Sequence, residues 1–494
     1  MVTPIFKGGD RCKPENYRPI SLISHLCKIL ARIIVKALTA YLNEAHLFNE
    51  GQHGFRSGRS CLSQLLEHHQ KILEALENNA GVDVVYLDFA KAFDRVDYKA
   101  LLWKLKAIGI CGTLLQWLAD FLMGRRQIVK VCGCLSSEGP VDSGVPQGSS
   151  LGPLLFLIMI SDIDNCVDHA AVSSFADDTR VLKTIEKPED CVKMQDDLIR
   201  IYNWAADNHM QFNSKKFELV SYSSRQRDLH QINVIDKAFD YPEYYDPDGN
   251  IITSVDMVKD LGVKMCNDAT FDAQISDCAI KGSRYAGWIL RVFRTREPSA
   301  LMVLFKSLVL PHLEYCCPVW SPLKTGSIRQ LESIQRNFTS KLRTLTSLNY
   351  WERLRALGIY SVERRRERYL ILYVYKIIQG LTPNFCGEKF KINIVNSARR
   401  GRICVIPGLN TRSLTRVTTL VEASFPVRGP KLFNALPMNI RNFDGSVDAF
   451  KSRLDKFLAT VPDKPHMPAY QQLSTSNSIL DQLIVLRAAG IYAN

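Results

Sequence analysis

Val82-Asp-Val-Val-Tyr-Leu-Asp-Phe89 and, about 90 residues on, Ala171-Val-Ser-Ser-Phe-Ala-Asp-Asp-Thr-Arg-Val-Leu-Lys183 decide how this chain is read. The first is rich in β-branched and aromatic residues and predicts a buried strand ending near Asp88. The second predicts two strands joined by a tight turn at Asp177-Asp178. A lone acid at a strand end and an acid pair at a hairpin turn are costly neighbours unless cations neutralise them. Carboxylate oxygens of that kind suit Mg²⁺, and two such ions stabilise both the attacking and the leaving oxygen of a phosphoryl displacement. The alternative is surface aspartates at turns. The apolar flanks, Val84, Val85 and Leu87 on one side and Val172 and Phe175 on the other, place the acids at the edge of a core.

Around these strands the pattern alternates. Residues 1–75 read as loops mixed with helices, with a helix over Leu26–Leu42 and a glycine-rich loop over Gly51–Ser60. Further helices are predicted over Tyr98–Ile108, Leu114–Leu122 and Pro188–Asn208, and short strands over Gln127–Val131 and Glu218–Ser221. Pro140–Ser150 reads as a loop leading into a helix opened by Pro153. The polar stretch 223–250 reads as an insertion or linker with a turn at Asp246–Asn250. From about residue 275 the pattern is helical. Ile328, Leu331, Ile334, Phe338 and Leu342 share one face, and Ser361–Gly380 forms another helix.

Composition narrows the class. The chain has 494 residues, 46% hydrophobic and 23% charged, which suits several globular domains. Its most apolar run, Leu151–Ile160, is too short to cross a bilayer, so no membrane partner is expected. The 14 cysteines include no CxxC pair and read as reduced intracellular thiols rather than zinc ligands or a disulfide scaffold. Net charge is +13, unevenly placed. Residues 281–494 hold 33 Lys and Arg against 13 Asp and Glu, whereas residues 1–280 hold 30 against 37. That asymmetry suggests a polyanion partner for the C-terminal part, with clusters at Arg364-Arg365-Arg366-Glu367-Arg368 and Arg399-Arg400-Gly401-Arg402. The alternative is solvated or paired arginines on helices.

At this point the chain resembles a family. Phe175-Ala-Asp-Asp178 is similar to the acid-pair signature of reverse transcriptases, and Asp88-Phe-Ala-Lys-Ala-Phe-Asp94 to their first catalytic motif. Ser143-Gly-Val-Pro-Gln-Gly-Ser-Ser-Leu-Gly-Pro153 resembles the segment beneath the nascent base pair. Asn16-Tyr-Arg-Pro-Ile-Ser-Leu22 and Gln52-His-Gly-Phe-Arg-Ser-Gly-Arg-Ser60 look like fingers motifs of non-LTR (LINE-type, jockey-like) retrotransposons. Asn213-Ser-Lys-Lys216 and Val258-Lys-Asp-Leu-Gly-Val263 resemble the motifs that close the palm. Pro311-His-Leu-Glu-Tyr315 with Val319-Trp320 resembles the thumb segment, and Phe433-Asn-Ala-Leu-Pro437 with Phe450-Lys451 the C-terminal tail. The matches run in order over nearly the whole chain.

The resemblance implies an α+β right-hand polymerase: fingers over 1–75, an antiparallel-sheet palm over 76–222, a linker and palm-closing motif over 223–270, a helical thumb over 271–345 and a basic C-terminal extension over 346–494. It implies an RNA-directed DNA polymerase with two Mg²⁺ ions, or Mn²⁺ in their place, acting on RNA template, DNA primer and dNTPs. Asp88, Asp177 and Asp178 would hold metal, with the Phe89 carbonyl as a further ligand, and Lys216 would protonate the leaving pyrophosphate. Lys7 and Arg18 would hold the triphosphate. Phe89, Gln147, Gly148 and Ala176 would lie against the nucleotide, and Phe93 would be the steric gate against a 2′-hydroxyl. Pro146, Arg56 and Arg59 would face the nucleic acid, the arginines either touching template or bracing the fingers. A nuclear location is implied. The chain starts almost at Pro4-Ile-Phe-Lys7, where the family's endonuclease and fingers extension would precede it, so a truncated, inactive copy that only binds nucleic acid is the alternative expectation.

Overall fold

The computed structural model describes residues 1–223, 243–384, 391–397, 401–410, 413–461, 463 and 478–488. The chain divides into two units. The first comprises residues 1–57, 81–221 and 228–255, and the second residues 58–80, 222–227 and 256–494.

The chain opens with β1 (Val2–Phe6) and β2 (Tyr17–Ser21), an antiparallel pair in which Pro4 faces Pro19. This ribbon falls in a stretch expected to be loop and helix. Proline reads as a strand breaker because it has no N–H to donate. Here Lys7 N–H bonds the Asn16 carbonyl at 2.8 Å, so alternation along the ladder puts both prolines at a non-hydrogen-bonded pair, where no N–H is needed. Helix α1 (His25–Glu44) follows, capped by the Ser24 hydroxyl, and α2 (Cys61–Glu77) begins the second unit.

Strand β3 (Gly81–Leu87) is the centre of the first unit, with Val82, Val84 and Val85 fully buried. Helices α3 (Tyr98–Ala107) and α4 (Gly112–Leu122) come next. The stretch expected as one strand over 127–131 is two short pairings: β4 (Arg125–Gln127) with β7 (Gly139–Val141), and β5 (Lys130–Val131) with β6 (Cys134–Leu135). At the break the Ile128 carbonyl accepts the Val2 N–H at 2.8 Å. The expected 140–150 loop therefore starts inside β7. Helix α5 (Gly152–Met159) has seven buried residues and proline in its first turn. Strands β8 (Ala171–Phe175) and β9 (Asp178–Ile185) form the predicted hairpin. Helix α6 (Pro188–Asp207) and strand β10 (Glu218–Tyr222) follow.

These strands build a five-stranded sheet in the order β11-β10-β3-β9-β8, where β11 is Thr253–Ser254. The ladders of β9 with β3 and β8 are antiparallel, as expected for the palm, but β11 joins β10 in parallel. Residues 223–250 were expected to be an insertion or linker. Positions 224–242 of it lie outside the described residues, while Tyr244 is 2% exposed and its hydroxyl donates to buried Asp83 at 2.8 Å. The core joins Val85 and Leu87 of β3 to Leu101 and Leu105 of α3, Leu155 and Phe156 of α5, and Leu198 and Ile201 of α6.

The second unit continues with the hairpin β12 (Met257–Asp260) and β13 (Val263–Cys266), turned at Leu261-Gly262, both with positive φ. Its helices are α7 (Asp272–Val292), α8 (Pro298–Leu308), α9 (Leu310–Glu314), α10 (Cys317–Trp320), α11 (Thr325–Thr339), α12 (Tyr350–Leu357) and α13 (Val362–Ile378). The hairpin β14 (Ile394–Ser397) and β15 (Gly401–Cys404) follows. Helices α14 (Thr415–Ala423), α15 (Phe425–Ala435), α16 (Met438–Arg441), α17 (Val447–Thr460) and α18 (Ile479–Ala488) complete it.

Helix α13 is the axis of this unit and packs on α10, α11, α15 and α17. Its N-terminus abuts a buried carboxylate. Glu332 of α11 accepts the Val362 and Glu363 N–H groups at 3.1 Å each, filling the unpaired first turn with a charge of the favourable sign. The five-residue basic run was expected to face a polyanion, and the structure corrects that. Arg364 and Arg366 are each 1% exposed. Arg364 pairs with Asp463 at 3.1 Å, Arg365 with Glu314, and Arg368 with both oxygens of Asp455. Acids distant in sequence claim the guanidinia of Arg364, Arg365 and Arg368. In the second cluster, Arg399 and Arg400 lie outside the described residues.

Arg364→Ala would strand Asp463 and empty a buried site. The expected loss is about 3–5 kcal/mol of unfolding free energy, read by urea denaturation. A surface arginine would change stability by less than about 0.5 kcal/mol.

Candidate active site

The geometry of the acids follows from strand register. Leu87, the last residue of β3, pairs with Thr179 of β9, and Phe175 of β8 pairs with Asp178. Asp88 therefore leaves β3 beside the β8–β9 turn, which Ala176 and Asp177 form. Both Asp88 and Asp177 are half-buried, whereas Asp178 is exposed.

Asp88 and Asp177 feel one another. Burial first, and then the charge of Asp88, raise the carboxyl of Asp177 above its ordinary value, while Arg18 and Lys7 pull it down. The Lys216 ammonium lies 2.9 Å from Asp88 Oδ2. Asn213 reaches the same oxygen at 3.4 Å, and its N–H bonds the Asp88 carbonyl at 2.7 Å. The expected Lys216 thus reaches the site, carried by a short helical turn, Ser214–Lys216. Ser214 is held in turn by the Asp248 carboxylate at 2.8 Å.

Lys7 and Arg18 project from the β1–β2 ribbon, exposed. Their charges converge on Asp177, and Lys7 also acts on Asp94. This convergence depends on the ribbon that loop-like prolines had hidden.

The 143–149 loop is laid on the residues after Asp88. Gln147 Nε2 donates to Asp94 Oδ1 at 2.8 Å, Ser143 Oγ donates to the Asp94 carbonyl, and Val145 N–H to that of Phe93. Burial raises the Asp94 carboxyl, with Gln147, Lys7 and Lys91 opposing. Gly148 has φ +101°, and a Cβ there would lie 2.9 Å from the Ser21 carbonyl. Its glycine is thus already demanded by the backbone of β2. Pro146 is buried beside it.

Phe93 stacks on Phe156 at 4.3 Å and meets Phe55 edge-on at 6.1 Å, keeping part of its ring exposed. Phe89 is buried and stacks on Phe212 at 4.4 Å. Arg56 bonds the Asn49 carbonyl at 2.6 Å and sits over Phe48, which favours the bracing alternative. Arg59, half-buried, belongs to the second unit.

Three carboxylates were expected to converge on metal. Among the described residues no three or more His, Cys, Asp or Glu are grouped so that they could hold a metal ion, so the expected three-carboxylate site is not assembled, and Asp178 is exposed. The neighbouring pair Asp88 and Asp177 still suits Mg²⁺, which is usually held by one or two carboxylates completed by substrate phosphates rather than by an all-protein cage. Like charges whose repulsion is relieved by an ammonium on Asp88 mark a place where a cation is favoured.

Asp177→Asn, in chelator-containing buffer, checks this electrostatic picture. A carboxyl raised by folding contributes stability that is present in acid and lost as pH rises through the folded value. The Tm of the variant is therefore expected above wild type at about pH 7, with the difference closing towards about pH 3. A difference that does not change with pH would show that Asp177 carries no folding-linked charge penalty.

Residues 5–265, more than half of the chain, match the family model described as reverse transcriptase (RNA-dependent DNA polymerase). The chain is 26% identical over 346 residues to a probable RNA-directed DNA polymerase from transposon X-element of Drosophila melanogaster, covering 68% of this chain and 36% of that protein. It is 26% identical over 353 residues to the RNA-directed DNA polymerase from mobile element jockey of Drosophila funebris, covering 69% and 37%. The chain thus spans little more than a third of these relatives. Among solved structures, apo telomerase from Candida tropicalis is similar at a TM-score of 0.38 and 12% identity, over 71% of this chain and 57% of that one.

Proposed function

Because the chain belongs to the reverse transcriptase family, we propose that its first unit joins deoxynucleotides to a primer on an RNA template, as the polymerase of a non-LTR retrotransposon. The observation that carries this reading is the Asp88–Asp177 pair set at a strand end and a turn, with Lys7 and Arg18 beside it.

In the reaction, a primer 3′-hydroxyl attacks the α-phosphate of a dNTP and pyrophosphate leaves. Asp88 and Asp177 supply the oxygen donors for two Mg²⁺ ions, which when bound stabilise the entering and leaving oxygens. Lys7 and Arg18 neutralise the triphosphate and orient it. Lys216, released from Asp88 as the site fills, is the proton donor for pyrophosphate. The ring of Phe93, backed by Phe156, occupies the space of a 2′-hydroxyl. Gln147, fixed on Asp94, sets the loop beneath the base pair.

The second unit supplies a different basic surface from the arginine run. On α7, Ile280, Arg284, Gly287, Trp288 and Arg291 fall on one side of the helix, with Ile280 67% and Trp288 42% exposed. A Cβ on Gly287 would meet nothing within 4 Å. Cations beside an exposed indole, around a position without a side chain, suit the backbone of a duplex.

Asp88→Asn should reduce primer extension on a homopolymer RNA template by roughly 10³-fold or more without loss of fold, since several kcal/mol of transition-state stabilisation are removed. An unimpaired variant would refute the two-metal reading. Phe93→Val should raise ribonucleotide relative to deoxynucleotide incorporation by about 10- to 200-fold. Unchanged selectivity with falling activity would make Phe93 a core residue only. Arg284→Ala with Arg291→Ala should flatten the slope of log K against log salt for duplex binding, by about 0.9 for each phosphate that is no longer neutralised. An unchanged slope would remove α7 from the interface.

A further inference from the structure

Gln52 is 4% exposed and lies in the loop between α1 and α2. Its Oε1 accepts two backbone N–H groups, from Ala176 at 2.9 Å and from Gly54 at 2.7 Å. Its Nε2 donates to the Ala176 carbonyl at 3.3 Å. One amide therefore grips both backbone groups of a single residue, the one before Asp177. The orientation of the amide is forced, because the flipped amide would set its NH₂ against two N–H donors.

The loop is fitted to this position. His53 N–H bonds the Ser174 carbonyl, and Ser174 N–H bonds the Gly51 carbonyl, both at 2.9 Å. A Cβ on Gly54 would lie 2.3 Å from Ala176 N, and one on Gly51 2.5 Å from the Val172 carbonyl. The loop backbone thus runs flush against β8 and its turn.

The turn needs such a partner. Phe175 pairs with Asp178 across a two-residue connection, and Ala176 has φ +56° while Asp177 is not left-handed. A positive φ at the first central position alone defines a type II′ turn, which favours glycine there. Alanine in that region costs about 1–2 kcal/mol. The hairpin's own chemistry leaves Asp177 weakly placed, and the buried amide supplies what the turn lacks.

We propose that Gln52 is a positioning residue. It touches no reacting atom, and it fixes the Ala176 peptide so that the Asp177 carboxylate faces Asp88 at the separation a divalent ion requires. The inference rests on the proposed polymerase reading.

The test compares wild type, Asp88→Asn and Gln52→Met, which keeps the side-chain length and removes every hydrogen bond. Mn²⁺ alone is titrated by water-proton relaxation, and primer extension is measured in parallel. Wild type that neither binds Mn²⁺ in an Asp88-dependent way nor extends a primer would sink the polymerase reading, and this inference with it. Where wild type does both, Gln52→Met should weaken Mn²⁺ binding by about 10-fold, as loss of a partner that orients a ligand does. It should lower kcat by about 10- to 100-fold, with KM for dNTP and duplex affinity within about threefold. Equal Mn²⁺ affinity in wild type and a folded Gln52→Met would overturn it. So would a uniform loss of every parameter in step with the folded fraction. If Gln52→Met does not fold, Gln52→Asn replaces it. That amide is one methylene short of spanning the Ala176 peptide, and the same Mn²⁺ shift supports the proposal while an unchanged affinity ends it.

Discussion

Asp177 carries a carboxylate where burial and the facing Asp88 both oppose its ionisation, and the cations of Lys7 and Arg18 oppose them in turn. Much of the first unit can be understood as the frame that holds these like charges together. The register of β3 against β9 delivers Asp88 to the hairpin turn. The β1–β2 ribbon brings two cations from the start of the chain. Residues 213–216 bring an ammonium and an amide from beyond α6. None of these contributions is local in sequence. Without the core that fixes all of them, mutual repulsion would let the acids turn outward to water. The acid pair is thus an expense of the fold that Lys216, Lys7 and Arg18 relieve only in part, which is the physical content of reading it as a metal site.

The same logic of buried polar groups, satisfied by distant partners, organises the second unit with a different outcome. Glu332 caps α13 from within the core. Glu367 accepts from Ser478 and from the first N–H of α18 at 2.6 Å each. Arg364, Arg365 and Arg368 of α13 bind Asp463 and acids from α9 and α17. Charge that looks like a polyanion-binding run in one dimension becomes internal wiring in three. Removal of a partner of the deeply buried Arg364 or Glu367 would leave a group stranded in low dielectric, which is why such groups persist once established.

The placement of Gln52 illustrates a third pattern. A turn whose residues are poorly suited to its geometry is tolerated when a tertiary contact over-determines it. The hairpin turns on Ala176-Asp177 instead of a glycine-based pair, and a side chain from 124 positions earlier holds it. The accuracy of the site is therefore stored partly outside the residues that perform the chemistry.

The sequence by itself determined the strands that carry the acids, the helices that cover them, and the family. Those signals are periodicity, β-branched content and ordered motifs, all written in consecutive residues. It also singled out Asp88, Asp177, Lys216, Lys7, Arg18 and Gln147, which the structure gathers into one neighbourhood. It did not reveal the β1–β2 ribbon, because Pro4 and Pro19 are acceptable only at positions where the ladder needs no N–H, and the register alone decides that. Nor did it show the burial of Tyr244 on Asp83, the sequestered arginines of α13 or the grip of Gln52 on Ala176. Each of these depends on which distant group happens to lie opposite. Burial and pairing are properties of a neighbourhood, and tertiary structure alone decides whether an exposed-looking charge faces solvent or another charge.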